Sequence, residues 1–165
     1  MSTGLIQGIS QNKVSEISAE KPATNVSTKN RGSIVFTGVP VDAIRLVWLA
    51  LEPMLREAID EDETTSEMLL RLYKQDAQLW CVFEDGTPIA GIVTEIVFDA
   101  NQRKICNIWA TAGRDMHKWF NHLVTIEDWA AENGCAAIGI EHARPGWKRL
   151  MKGYKVTHVS LEKEL

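Results

Sequence analysis

The 165 residues, 45% hydrophobic and 24% charged, suit one ordinary globular domain with a core of its own and exclude a disulfide-stapled miniprotein. Eighteen basic residues against 22 acidic give a net charge of -4, which supplies no global field for nucleic acid or anionic lipid. The apolar stretch 44–51 is broken by Arg45 and falls well short of the roughly 20 residues that span a bilayer, so no membrane role is expected.

Residues 1–32 read as an extended arm: over half are Ser, Thr, Asn, Gln, Gly or Pro, and none is aromatic. Scattered apolar residues there make no export signal. Lys13, Lys21, Lys29 and Arg31 against Glu16 and Glu20 leave the arm at +2, so -6 of the chain's -4 total falls on residues 33–165. Leu5, Ile6 and Ile9 are the expected docking contacts of this arm with other protein subunits.

Residues 33–37 have a strand pattern closed by Gly38 and Pro40. Asp42 is placed to cap a helix whose apolar residues Ile44, Val47, Trp48, Leu51, Met54, Leu55 and Ala58 recur at three and four; Pro53 predicts a kink or break near Leu51. The acidic run Asp60, Glu61, Asp62 and Glu63 reads as a loop, after which Thr64, Thr65 or Ser66 caps a second helix through Tyr73. Three strand-like segments follow, 78–84, 89–98 and 104–110, with links short enough for antiparallel hairpins. A long amphipathic helix is predicted over 114–133, stopped by Gly134, and then a buried strand over 135–140. Strand, helix and strand in that order predict a parallel crossover between 104–110 and 135–140. A short helix over 145–151 and an alternating strand over 156–161 complete the chain.

Cys81, Cys106 and Cys135 each lie in an apolar run, as reduced core thiols of a cytoplasmic protein do. His117 and His122, five apart on one helix, have a poor spacing for a shared metal, and no metal site is expected. Glu95, on a strand, and His142, just past the parallel strand, are the titratable candidates for a general base near the centre of the sheet. Arg144, Lys148, Arg149 and Lys152 gather around Trp147 as a basic cluster, suited to phosphates, to an acidic partner surface or to a solvated helix face.

The element order over 33–165, with Gly134-Cys135-Ala136-Ala137-Ile138-Gly139-Ile140 followed by Arg144-Pro145-Gly146-Trp147-Lys148-Arg149-Leu150-Met151 and Gly153-Tyr154, resembles the GNAT superfamily of acyl-CoA-dependent N-acyltransferases. The Arg-x-Gly-Trp-x-Arg-Leu segment looks like small GNAT-like proteins of tailed bacteriophages. The resemblance implies an α/β fold: a mixed, mostly antiparallel central sheet flanked by helices. It also implies acetyl-CoA as cofactor, with Ala112, Gly113, Arg114 and Asp115 in the place of the family's pyrophosphate-binding loop. Only one glycine is kept there, and Asp115 adds a negative charge. The residues read rather better as a strand end at Gly113 with Asp115 capping the next helix. Where the family commonly carries a Tyr as general acid this chain has Met151, whose thioether donates no proton.

Two functions stay open on these grounds. One is an assembly component that needs no cofactor, attached to other subunits through residues 1–32, with Arg144, Trp147 and Arg149 as further partner contacts, in the host cytoplasm or a phage virion. The other is an active acetyl-CoA-dependent N-acetyltransferase whose cationic amine substrate is drawn by Asp60, Glu61, Asp62 and Glu63. A small phage effector that binds a host protein without chemistry is a weaker third.

Overall fold

The computed structural model describes residues 32–140 and 146–155. In chain order they form β1 (Ile34–Val39), α1 (Ile44–Arg56), α2 (Thr65–Tyr73), β2 (Ala77–Glu84), β3 (Thr87–Phe98), β4 (Lys104–Gly113), α3 (Met116–Trp119), α4 (Val124–Glu132), β5 (Ala137–Ile140) and α5 (Trp147–Leu150). The strands make one sheet in the order β1-β2-β3-β4-β5, antiparallel except for the parallel pair β4–β5. Both the hairpins and the crossover agree with the sequence reading. The β2–β3 hairpin turns on Asp85 and Gly86, each at positive φ, the conformation that an Asp-Gly pair supplies in a tight hairpin.

Several local expectations are corrected. The turn is shorter than predicted, and β3 starts at Thr87; Pro88 enters the strand beside a register shift at Val82/Phe83, where its missing N–H is tolerated. Asp42 does not cap α1 but lies in a 3-10 turn, Val41–Ala43, with no side-chain cap at either junction. Pro53 does not break α1, which runs through to Arg56. The carbonyl it leaves without its helical partner, four residues back, belongs to Leu49, on the exposed side of the helix. Thr64 is the cap of α2, its hydroxyl accepting from Glu67 N–H at 3.2 Å.

The long helix predicted over 114–133 is three pieces: α3, a 3-10 stretch Phe120–Leu123, and α4. It breaks at Trp119 (φ -125°), whose buried indole N–H donates to the Arg114 carbonyl at 2.9 Å. The strand predicted as buried is also different: β5 is half-exposed, because β4 is its sole partner strand among the described residues. The strand predicted over 156–161 lies outside the described residues.

Each face of the sheet carries a core. Against α1 and α2 pack Leu51, Leu55, Met68, Leu72, Leu79, Cys81, Val93 and Ala110. Against α3 and α4 pack Trp80, Val82, Ile92, Cys106, Ile108, Trp119, Leu123, Ile126 and Met151. None of the described helices is long and apolar enough to cross a membrane.

Candidate ligand cleft

The pairing of β4 with β5 covers only Ile105–Ile108 against Ala137–Ile140. Beyond it, among the described residues, β4 continues with β3 alone as far as Gly113. A strand losing one neighbour leaves a crevice at the carboxyl end of the parallel pair, which is where open α/β sheets place ligands. The cleft there has a volume of about 340 Å3. Its floor is Ile108, Trp109, Thr111, Ala112 and Gly113; Met54, Glu57 and Ala58 at the end of α1 form one wall, and Arg114, Met116, Trp119, Ile140 and Trp147 the other.

β4 carries a bulge at this point. The register moves from Thr94–Ile108 to Val93–Ala110, leaving Trp109 as the extra residue. Ile108 therefore packs on the α3/α4 face while Trp109 and Ala110 both pack on the α1/α2 face. The bulge aims Trp109 at the acidic loop: its indole N–H donates to Glu63 Oε1 at 2.7 Å. The other Glu63 oxygen accepts from Asp60 N–H at 3.1 Å, and the Arg71 guanidinium lies 5.0 Å from the centroid of the Trp109 ring. Arg71 in turn pairs with Glu95 Oε2 at 2.8 Å, while Asn107 donates to Glu95 Oε1 at 3.1 Å.

This chain of contacts links two sequence candidates, Glu63 and Glu95, through two residues that sequence reasoning missed, Trp109 and Arg71. Glu95 has both oxygens engaged and borders a second groove, between β3 and Leu72, rather than the cleft. Glu61 and Asp62 are exposed. Thr111 and Glu57 line the cleft and were also missed. Trp109 and Thr111 carry no signal in an apolar run read by alternation, because one inserted residue reverses which side chains face inward.

Ala112 and Gly113, expected in a loop, are the last residues of β4. Gly113 is needed for packing within the sheet, since a Cβ built there would stand 2.6 Å from the Ala90 Cα and 2.8 Å from the Ile89 carbonyl oxygen. Arg114 N–H is used by that same carbonyl, at 3.0 Å. Asp115 precedes α3 in the left-handed conformation and makes no side-chain cap, which corrects the capping expectation; its carboxylate faces Lys118 Nζ at 3.4 Å. Lys118 is held more firmly by Glu84 at 2.6 Å, and that hydrogen bond is the main reason its pKa is raised.

Met151 is 7% exposed, part of the core under α4. Tyr154, three residues on, donates its hydroxyl to Glu127 at 2.9 Å, and burial together with that carboxylate pushes the phenol pKa up. Trp147 is half-buried in the cleft wall and Arg149 is exposed. His142, Arg144, Leu5, Ile6 and Ile9 lie outside the described residues, so they cannot be set against this geometry. Among the described residues no three His, Cys, Asp or Glu stand close enough together to hold a metal ion.

No protein-family model and no curated protein sequence matches the chain. Solved structures do. A GCN5-related N-acetyltransferase from Ralstonia eutropha is 21% identical, with a TM-score of 0.57 over 79% of this chain and 99% of that one. An aminoglycoside acetyltransferase from an uncultured soil metagenomic sample, in complex with sisomicin, is 7% identical, with a TM-score of 0.60 over 80% and 96%. A predicted acetyltransferase from Clostridium acetobutylicum, solved with acetyl-CoA, is 14% identical, with a TM-score of 0.56 over 79% and 96%. At such identities the likeness concerns the fold. With the five-strand mixed sheet of the described residues and the crevice beside β5, the chain has the GNAT acetyltransferase fold.

Proposed function

We propose that this chain is a GNAT-fold structural or adaptor protein that does not transfer acetyl groups, and that it docks onto other subunits, those of a phage particle, through residues 1–32. The observation that carries this reading is the state of the proton-donor position. Transfer from a thioester is accelerated by a group that protonates the departing thiolate. Met151 offers a thioether inside the core, and the neighbouring phenol of Tyr154 is committed to Glu127. The polar composition of residues 1–32 supports the docking half of the proposal.

A specific observation favours the acetyltransferase as second reading. The Thr111 hydroxyl has no hydrogen-bond partner among the described residues, although it is out of contact with water and borders the cleft. A buried hydroxyl left so is costly unless a ligand completes it. In that reading acetyl-CoA supplies the acyl group. Ala112, Gly113, Arg114 and Asp115 lie along its path, Asp60–Glu63 attract a cationic amine, and His142 accepts the ammonium proton, Glu95 being engaged at the second groove.

One pair of measurements separates the two. The full chain is incubated with acetyl-CoA and a panel of polyamines, aminoglycosides and lysine peptides, and thiol release is followed. Release no faster than in protein-free controls, with loss of subunit co-purification on deleting residues 1–32, is the result expected. Turnover that Thr111→Val abolishes and deletion of the arm leaves intact would overturn the proposal.

A further inference from the structure

α1 has two apolar sides. One is buried against the sheet and carries Ile44, Val47, Leu51 and Leu55. The other lies diametrically opposite and carries Leu46, Leu49, Ala50 and Pro53, spaced at three and four like the first, and all four are exposed. Leu46 is 75% exposed and Leu49 87%. A single exposed leucine is ordinary, but an apolar stripe kept in helical register and rimmed by charges marks an interaction surface. α2 adds to the same layer. The two helices lie side by side in opposite directions: the Thr65 hydroxyl at the start of α2 donates to Glu52 near the end of α1 at 2.7 Å, and Leu72 at the end of α2 shares a groove with Ile44 at the start of α1. Leu70 and Tyr73 are the exposed large apolar residues of α2.

We infer that this face pairs with the same face of a second copy of the chain, the two α1 helices running antiparallel about a two-fold axis at Leu49. The charges along the stripe select both the partner and the direction. In chain order they are Asp42, Arg45, Glu52 and Arg56, alternating in sign. Parallel pairing of two copies would set each charge against its own kind. Reversing one helix about residue 49 sets Asp42 against the partner's Arg56 and Arg45 against the partner's Glu52, so each contact joins opposite signs. Asp42 and Arg45 are exposed, and Arg56 binds Glu52 of its own helix through Nε and Nη2, which leaves Nη1 for the partner's Asp42. Glu57, the other charge at that end, lines the cleft instead. A helix of 13 residues presents a strip about 20 Å long and about 10–12 Å wide. Even with Leu70 and Tyr73 that falls short of the roughly 800 Å2 per partner of a standard interface, so the dimer is weak, with a dissociation constant of roughly 10–100 µM. The pairing is independent of the adaptor reading, since residues 1–32 take no part in it.

The test is sedimentation equilibrium of the full chain at low ionic strength, from about 1 µM to about 1 mM. Wild-type protein is expected to pass from monomer to dimer over that range. Leu49→Glu places two carboxylates at the two-fold axis and should weaken the dimer more than about tenfold. It should leave the thermal midpoint of the dilute monomer unchanged, because a side chain so exposed holds nothing within its own chain. Asp42→Arg and Arg56→Asp should each weaken the dimer about tenfold, since the axis repeats each contact twice, and the two together should return it close to the wild-type value. Four results would overturn the pairing: a chain that stays monomeric to about 1 mM, a dimer indifferent to Leu49→Glu, a double exchange no tighter than Arg56→Asp alone, or a dimer abolished by deleting residues 1–32, which would assign the association to the arm.

Discussion

On the α1/α2 face of the sheet the buried side chains are aliphatic, Leu51, Leu55, Met68, Leu72, Leu79 and Val93, and they meet with no polar atom among them. On the α3/α4 face Trp80 and Trp119 sit at the centre with Trp129 edge-on to Trp80 at 5.4 Å, and each buried indole needs an acceptor. Trp80 N–H finds Thr94 Oγ1 at 3.0 Å, and Trp119 N–H finds the Arg114 carbonyl. The buried centre of the first face is held by volume, and the indole hydrogen bond on that face, Trp109 to Glu63, lies at its half-buried margin. The second depends on hydrogen-bond partners as much as on volume; one of them, Arg114, borders the cleft, and the other, Thr94, borders the second groove.

Mutations should separate the two kinds of face. The largest effect is expected at Leu51, fully buried over Gly91, where an added Cβ would already touch its methyls at 3.3 Å. Leu51→Ala removes volume that the rigid sheet beneath cannot refill, at a cost of about 2–5 kcal/mol in urea unfolding. Thr94→Val on the other face conserves volume but strands the Trp80 N–H, at about 1–3 kcal/mol. A cost under about 0.5 kcal/mol there would mean that the aromatic face does not rely on its acceptors. At the edge of the aliphatic face, Thr64→Ala should cost about 1 kcal/mol, because only a helix cap is lost.

The same contrast explains what could be read from sequence. α1 and α2 follow from apolar residues at three and four, since helices on an aliphatic layer need nothing else. Pro53 misled only because its effect depends on whether the orphaned carbonyl reaches water, which periodicity does not encode. Over 114–133 the apolar spacing suits one long helix, yet Trp119 gains more by folding its indole onto Arg114 than by continuing the turn. The cleft suffered likewise. Its position beside the parallel pair was legible, but the Trp109 bulge that joins Glu63 to Arg71 and Glu95 is a one-residue offset set by pairing with β3, and no local pattern announces it.

The cysteines give the finest probe, because one fully buried thiol lies in each core: Cys81 against α1 and α2, Cys106 against α3 and α4. Burial pushes both up to about 12, with nearby Cys135 adding to the effect on Cys106. The folded state thus keeps protons that the unfolded chain releases from about pH 9, so stability should decline as pH rises from there toward 12. At neutral pH a thiol-alkylating reagent should modify half-buried Cys135 first and the buried pair only when a face opens. Cys106 is expected to react before Cys81, since the broken segment over it, α3, a 3-10 turn and α4, opens in shorter units than the continuous α1. Mass spectrometry of peptides over time would read the order. If Cys81 is modified first, the aliphatic face is the weaker one, and the indole hydrogen bonds contribute more to holding the sheet covered than the unbroken helix does.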